Sequence, residues 1–453
     1  MSVSELTSLP LDLVHEVASF LTGKDMARLS CASVELQRFA YNRAREYLRY
    51  ANGLSQQCLL GMKSLMQFYH SVSLNAPHRR TPQVACGLNH SCYIKRVAPG
   101  RCAVYTFGDG SRGQLGNSET RSEITPIRVE MDMAISVEHV KSVACGSNHT
   151  VLLMGNNQLV AFGDNSRGQC GKSSSQLIVS PQWMDKVQVI HFQKVVAGDS
   201  YTAALTRTGR VRVWGGMSMR LELTDDGYLN TDLEVAEIAG GADHLLLLTQ
   251  TGMLYAIGGT SAELGLMAPP ANDEPCRVPS LVCFPYDQAS IVQIDAGGKH
   301  SAVVTGNGQL FLWGSAVNGE TGIGRFCTRV DVPTRVEIPS FAVQVSCGSS
   351  HTAVLTATGR VLTFGSGAFR QDGKDTSFWA THTPNEISAG DAVKYHGDIT
   401  TVVAGGKHTA LLTDDDLFMF GDASCCGGFR GDLPSFVPKL VSLGTRKQRL
   451  WTF

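Results

Sequence analysis

Cys145-Gly146-Ser147-Asn148-His149-Thr150 decides how the chain is read, because the pattern small-Gly-x-x-His-Thr keeps returning. It stands at Cys86-Gly87-Leu88-Asn89-His90-Ser91, at Gly240-Gly241-Ala242-Asp243-His244 and at Ala296-Gly297-Gly298-Lys299-His300. It returns at Cys347-Gly348-Ser349-Ser350-His351-Thr352 and Ala404-Gly405-Gly406-Lys407-His408-Thr409. A seventh copy, Ala197-Gly198-Asp199-Ser200-Tyr201-Thr202, carries Tyr in the histidine position. After each copy come an apolar run, a turn and a second apolar run. That second run ends at Phe107-Gly108, Phe162-Gly163, Trp214-Gly215, Ile257-Gly258, Trp313-Gly314, Phe364-Gly365 or Phe420-Gly421.

Runs such as Thr202 to Thr206 and Val211 to Trp214 are strand-length and rich in β-formers. The turns between them hold Gly209, Gly252, Gly308 and Gly359, where positive φ costs glycine little. Each repeat therefore contains a hairpin, and successive hairpins lie 43 to 59 residues apart. A multi-stranded unit of that length, repeated seven times, predicts a mainly β chain whose residues 84–453 close into a seven-bladed β-propeller. A linear solenoid is the alternative, but its repeats are usually shorter or helical, and it leaves sheet edges open. The first copy begins abruptly at Val84, without the Pro-x-x-Val seen at Pro126 to Val129. The tail from Val437 to Trp451 has no repeat of its own, so it is expected to complete the first blade.

Recurrence also assigns roles. A histidine repeated in blade after blade serves something every blade needs, most simply a hydrogen bond that holds the hairpin. Tyr201 can take over such a bond more readily than it can replace a metal ligand. Cys86, Cys145 and Cys347 share a slot with Ala197, Ala296, Ala404 and Gly240, a slot that selects for small size near a crowded central axis. They are not expected to be nucleophiles. No Walker loop, zinc-ligand spacing, nucleophile elbow or kinase signature is present, so neither catalysis, cofactor nor metal is expected.

The repeated segments, the aromatic-Gly pairs, and Gly113-Gln114-Leu115-Gly116 with Gly168-Gln169-Cys170-Gly171 resemble the regulator of chromosome condensation repeat family. That resemblance implies a seven-bladed propeller. It does not imply one function, because the family includes nucleotide-exchange factors, a plant UV-B sensor and many adaptors.

Residues 1–83 have a different texture. Ser8-Leu9-Pro10 reads as a helix start, and Leu13, Val14, Val17, Phe20 and Leu21 recur at helical spacing. Asp25 can cap a second short helix that carries Met26 and Leu29. A third segment runs from about Ser33 to Tyr50. One reading is a small helical cap that packs on the propeller. The other is that Leu9, Pro10, Leu13, Val17, Phe20, Leu21, Met26 and Leu29 are similar to the F-box, although Leu36 stands where that family usually has Trp. The resemblance implies a small all-α domain over residues 1–50 whose apolar positions dock a Skp-type adaptor of a cullin ligase. Residues 51–83 read as a helical linker.

With 13 cysteines in no paired spacing and no 20-residue apolar stretch, a reduced intracellular protein is expected, in the cytoplasm or the nucleus. The net charge of -1 gives no reason to expect nucleic acid, and no membrane partner is expected. The leading expectation is a substrate-recognition adaptor of a Skp/cullin/F-box ubiquitin ligase, with the propeller binding the target protein. Two alternatives are a structural or docking subunit of a larger, for instance cytoskeletal, assembly and a nucleotide-exchange factor for a small GTPase. The basic tail of the chromatin-bound exchanger has no counterpart in this sequence, which lowers the last. Sequence does not assign the partner-binding residues on the propeller. The candidates are the segments that break the repeat, Gly216 to Leu233 and Met267 to Ser290.

Overall fold

The computed structural model describes residues 83–441, apart from 99–100, 133–134, 136–138, 174–175, 185–189, 220, 260, 267–274, 286–289, 374–379, 388–398, 414–415 and 427–434. Seven antiparallel sheets follow one another along the chain, six of four strands and one of three. Helix among the described residues is limited to short turns such as Ser261–Leu264.

The hydrophobic pattern of each blade follows from its place between two others. The second strands, such as His149–Met154 and His351–Thr356, are buried at every residue because a neighbouring blade covers each face. They read as continuous apolar runs and not as an alternation. Inner strands such as Phe192–Ala197 have Phe192 and Val195 buried, with Gln193 exposed and Lys194 half-buried. Outer strands such as Ala380–Glu386 have no fully buried residue.

Proline marks the outer strand. Pro126, Pro181, Pro279, Pro333, Pro384 and Pro438 each lie within one, as edge strands tolerate. Three residues on, Val129, Met184, Val282, Val336, Ile387 and Val441 return to the core, all buried. Between the third and outer strands the register shifts at the aromatic-Gly pair, as between Thr106 and Gly108 or Thr363 and Gly365. There the glycine is obligatory: Gly108 has φ 107°, and a Cβ would lie 2.5 Å from the Asn89 carbonyl oxygen.

The expected role of the tail is not met. The first blade is complete within its own segment, from Gln83–Cys86 to Glu123–Arg128, and the described part of the tail, Ser435–Leu440, pairs with Leu417–Gly421 of the seventh blade. Pro-x-x-Val ends a blade; it does not introduce the next. Among the described residues the ring closes without a shared strand. Tyr93 and Phe107 of blade one pack with Leu412, Leu417, Met419 and Val441 of blade seven in one buried cluster. The Gly406 amide also donates to the Gly87 carbonyl at 2.9 Å.

Blade three departs from the rest. After Val211–Gly215 it has no outer strand, and isolated bridges between Arg212 and Tyr228 and between Leu223 and Leu229 take its place. Tyr228 and Leu229 are buried there, and the Leu229 amide donates to the Val211 carbonyl. The segment from Gly216 to Leu233 is therefore a substitute edge. In the second irregular segment, Cys276–Leu281 is the ordinary outer strand of blade four.

Candidate protein-binding face

Antiparallel pairing fixes which loops share a face. The Gly-x-x-His turns, between inner and second strands, lie on the same side as the long loops between third and outer strands. Amides just after the aromatic-Gly pairs tie the two sets together, Asp109 to the Asn89 carbonyl and Ser315 to the Lys299 carbonyl, at 2.8 and 2.7 Å. This loop face carries the Gly-x-x-His turns, the residues after the aromatic-Gly pairs and the Gly-Gln-x-Gly loops.

The histidines lie beneath it as a belt. Nε2 of His90 is 2.9 Å from Thr150 Oγ1 of the next blade, and the series continues through His149–Thr202, His244–Ser301, His300–Thr352 and His351–Thr409. His408 closes it on Ser91 at 2.8 Å. Each hydroxyl spends its own proton on a backbone carbonyl, Thr150 on Gln114, Thr202 on Gln169 and Thr352 on Glu320. It must therefore accept from Nε2–H, which leaves Nδ1 bare. Nδ1 of His90, His149, His300, His351 and His408 is buried and has no hydrogen-bond partner among the described residues. Burial drives five rings of the belt neutral: His149 and His300 are lowered to about 4, and His244, His351 and His408 to about 3. The expected structural role of the histidines holds.

Tyr201 is the exception, for a reason visible one residue after His244. Where the other blades place Ser91, Thr150, Thr202, Ser301, Thr352 and Thr409, blade four has Leu245, which offers no hydroxyl. Tyr201 instead donates to the backbone carbonyls of His244 and Gly241, at 2.7 and 3.0 Å.

A second layer of seam contacts is made by the recurring loop glycines. Gly116, Gly265 and Gly322 have φ of 62° to 64° and lie against Phe162, Trp313 and Phe364 of the next blade. Segments Glu263-Leu264-Gly265 and Glu320-Thr321-Gly322 are thus the counterparts of Gln114-Leu115-Gly116. Sequence reading missed them because Glu replaces Gln in both and Thr321 replaces Leu in the second.

Closer to the axis, Gln293 and Gln344 act as clips. Gln293 donates to the Val345 carbonyl and accepts from the Val345 amide, both at 2.9 Å. Gln344 repeats this on Val402, and Gln83 donates to the Lys141 carbonyl at 2.7 Å. At the same level, blade three pairs Lys194 with Glu237 of blade four. A cavity of about 100 Å3 on the axis is lined by the expected small residues, including Cys86, Cys145, Ala197, Gly240 and Cys347. Burial pushes all three of those thiols up, so none is a ready nucleophile. No group that could hold a metal ion occurs among the described residues.

A blade-by-blade belt of this kind, repeated around a closed ring, is also what a family profile detects. The profile of the RCC1-like domain matches residues 104–451. The chain belongs to the RCC1-like domain family. The human regulator of chromosome condensation is 28% identical over 393 residues, covering 69% of this chain and 90% of its own. The ultraviolet-B receptor UVR8 of Arabidopsis thaliana is 28% identical over 302 residues, covering 64% and 66%. The human probable E3 ubiquitin-protein ligase HERC6 is 29% identical over 287 residues, or 59% of this chain. This chain spans about two thirds of the receptor's length and about a quarter of HERC6. Among solved structures, human WBSCR16 superposes with a TM-score of 0.65 at 21% identity, covering 75% of this chain and 94% of that one. Yeast Prp20p gives 0.64 at 20%, covering 73% and 83%. These likenesses establish the propeller.

Leu9, Pro10, Leu13, Val17, Phe20, Leu21, Met26 and Leu29, with the whole of residues 1–82, lie outside the described residues. What the described RCC1-like propeller offers for recognition is the non-repeating surface of the loop face. Its most exposed large apolar side chains are Phe326, at 89%, and Val317, at 63%, both in the loop between the third and outer strands of blade five. No sequence signal singled them out.

Proposed function

We propose that this chain is a non-catalytic protein receptor. Its loop face holds a target protein, and residues 1–50 bind a Skp-type adaptor, which brings the target to a cullin ubiquitin ligase. The observation that carries the receptor half is the assignment of every repeated polar group to the seams. The repeated histidines, hydroxyls and thiols are buried and used in packing, which leaves the loops of the described ring for recognition. The F-box-like apolar pattern from Leu9 to Leu29 supports the adaptor half.

The test is co-purification of the full chain with a Skp-type adaptor and cullin. The wild type should bring both down, and Leu13→Asp with Val17→Asp should lose both. A wild type that captures neither sinks the ligase half and leaves a docking subunit.

A second reading, nucleotide exchange on a small GTPase, draws on the relative named for chromosome condensation, 90% of whose length is matched. Accelerated nucleotide release in a small-GTPase panel would favour it over the receptor.

A further inference from the structure

We propose that the loop face at blades five and six docks an acidic segment of the target protein, anchored by a large apolar side chain against Phe326 and Val317. This rests on reading the loop face as the target-binding surface, and it is independent of the adaptor.

Phe326 is exposed but held. Its ring lies 4.3 Å from that of His382 on the outer strand of blade six, at 56°. The loop beneath is pinned to that strand: the Gly324 amide donates to the His382 carbonyl at 2.8 Å. Gly319, at φ 81°, approaches so closely that a Cβ would lie 2.4 Å from the Thr381 carbonyl oxygen. An apolar ring fixed in water is a preorganised contact, since its rotamer freedom is already spent. Of the other exposed apolar residues, Ile124, Val332 and Leu440 sit singly on outer strands at the rim, and Val278 and Leu281 share one. Exposed apolar residues on a rim strand are ordinary, whereas Phe326 and Val317 share one loop that is pinned to the next blade at Gly319 and Gly324.

Charge selects the occupant. Arg325, beside Phe326, and Lys299, at the tip of the same blade's Gly-x-x-His turn, are exposed, and Lys407 lies 4.7 Å from the ring centroid of Phe369 in blade six. Among the described residues, the carboxylates of this sector's long loops are buried, and the one on the adjoining outer strand is exposed but ion-paired. Glu320 is buried and accepts from the Asn318 amide at 2.8 Å, Asp372 is buried, and Asp331 is paired with Arg329 at 2.7 Å. The Gly-x-x-His turns of blades three and four instead present exposed Asp199 and Asp243, where blade five has Gly298 and Lys299. The apolar anchor therefore shares its blade with two exposed cations, Arg325 and Lys299. Such a surface favours carboxylates around a hydrophobic contact.

The experiment screens the full-length chain against two displayed pools of twelve-residue peptides. Each peptide carries one central Leu, Phe or Trp, flanked by Asp and Glu in one pool and by Lys in the other. Binders should come from the acidic pool and weaken with salt. Phe326→Ser and Arg325→Glu should each weaken them at least tenfold, while Val278→Ser and Arg112→Glu should change them less than twofold. Phe326 is exposed enough that its variant should keep the wild-type thermal midpoint. Selection from the Lys pool, no acidic binder, or binders indifferent to Phe326→Ser overturns the proposal. So does a concentration-dependent dimer lost in Phe326→Ser, because the occupant would then be a second copy. Acidic binders sensitive only to Arg112→Glu would also sink it, while leaving the loop-face reading intact.

Discussion

Nε2 of His408 lies 2.8 Å from Oγ of Ser91, joining residues 317 positions apart, and this contact is the polar latch of the ring. His408→Ala leaves the Ser91 oxygen without its buried donor, although its proton still reaches the Cys425 carbonyl, and Ser91→Ala strands the buried His408 Nε2–H. Each should cost about 1–3 kcal/mol, the penalty for an unpaired buried polar group. The double variant should cost less than the two singles together, with a coupling of about 0.5–3 kcal/mol. Urea midpoints of the four proteins measure it, and strict additivity would show that the latch does not exist.

The belt makes the fold acid-sensitive. His149 and His300, lowered to about 4, and His244, His351 and His408, lowered to about 3, stay neutral in the folded protein. The unfolded chain protonates them near pH 6.5. Below that value the unfolded state binds more protons, so stability falls as pH drops from about 6.5 towards 4, by up to about 1.4 kcal/mol per pH unit for each ring. Asp295 opposes this in part. Burial raises it to about 6, so the folded state holds its proton between roughly 4 and 6, where the unfolded chain releases it. Five rings outweigh one carboxyl. The thermal midpoint should hold from pH 8 to 7 and drop steeply between pH 6 and 5, and a flat profile would contradict the neutral belt.

Tyr201 and Leu245 form a matched exception. Tyr201→His should destabilise by about 1–3 kcal/mol, because the new Nε2–H would face an aliphatic side chain in a buried site. Adding Leu245→Thr should recover part of that loss by restoring the His–Thr pair of the other seams. Chemical denaturation of both variants decides it; a double variant less stable than Tyr201→His alone would mean that the pairing is incidental.

Gly322 combines two constraints. Its φ is 62°, and a Cβ would lie 2.7 Å from Phe364 Cε2. Gly322→Ala adds left-handed strain to overpacking at the seam of blades five and six, a combined cost of about 2–4 kcal/mol. Gly252, at φ 83° with nothing within 4 Å of a Cβ, isolates the strain alone, so Gly252→Ala should cost about 1 kcal/mol. Equal thermal shifts for the two would remove the packing argument.

Much of this architecture was legible because repetition separates structure from function. The His position, the small slot at Cys86 and Ala197, and the hairpins were all read from recurrence, and the ring uses each as read. What recurrence cannot supply is an origin. A periodic chain looks the same whether Pro-x-x-Val opens a unit or ends one, so the tail was expected in blade one, whereas Pro438 and Val441 finish blade seven. Backbone roles hide for another reason. Glu320 and Gln114 play one part through a carbonyl oxygen that any residue possesses, so their kinship leaves little trace in side chains. The exposure of Phe326 is hidden because it depends on a strand from the next blade. The pairing of Tyr201 with Leu245 was visible, since Leu245 breaks a Ser/Thr series one residue after His244.

The prolines of the outer strands have a consequence for how this molecule can be approached. Each rim edge from Pro126 to Pro438 lacks an amide donor in mid-strand, so a foreign strand laid along it meets a gap in the hydrogen-bond ladder. Six blades are blunted in this way, and the seventh, blade three, is capped by the bridge of Tyr228 to Arg212. The circumference is thus sealed against strand addition, by partners and by other copies alike. A binding protein must read side chains from above or below the disc.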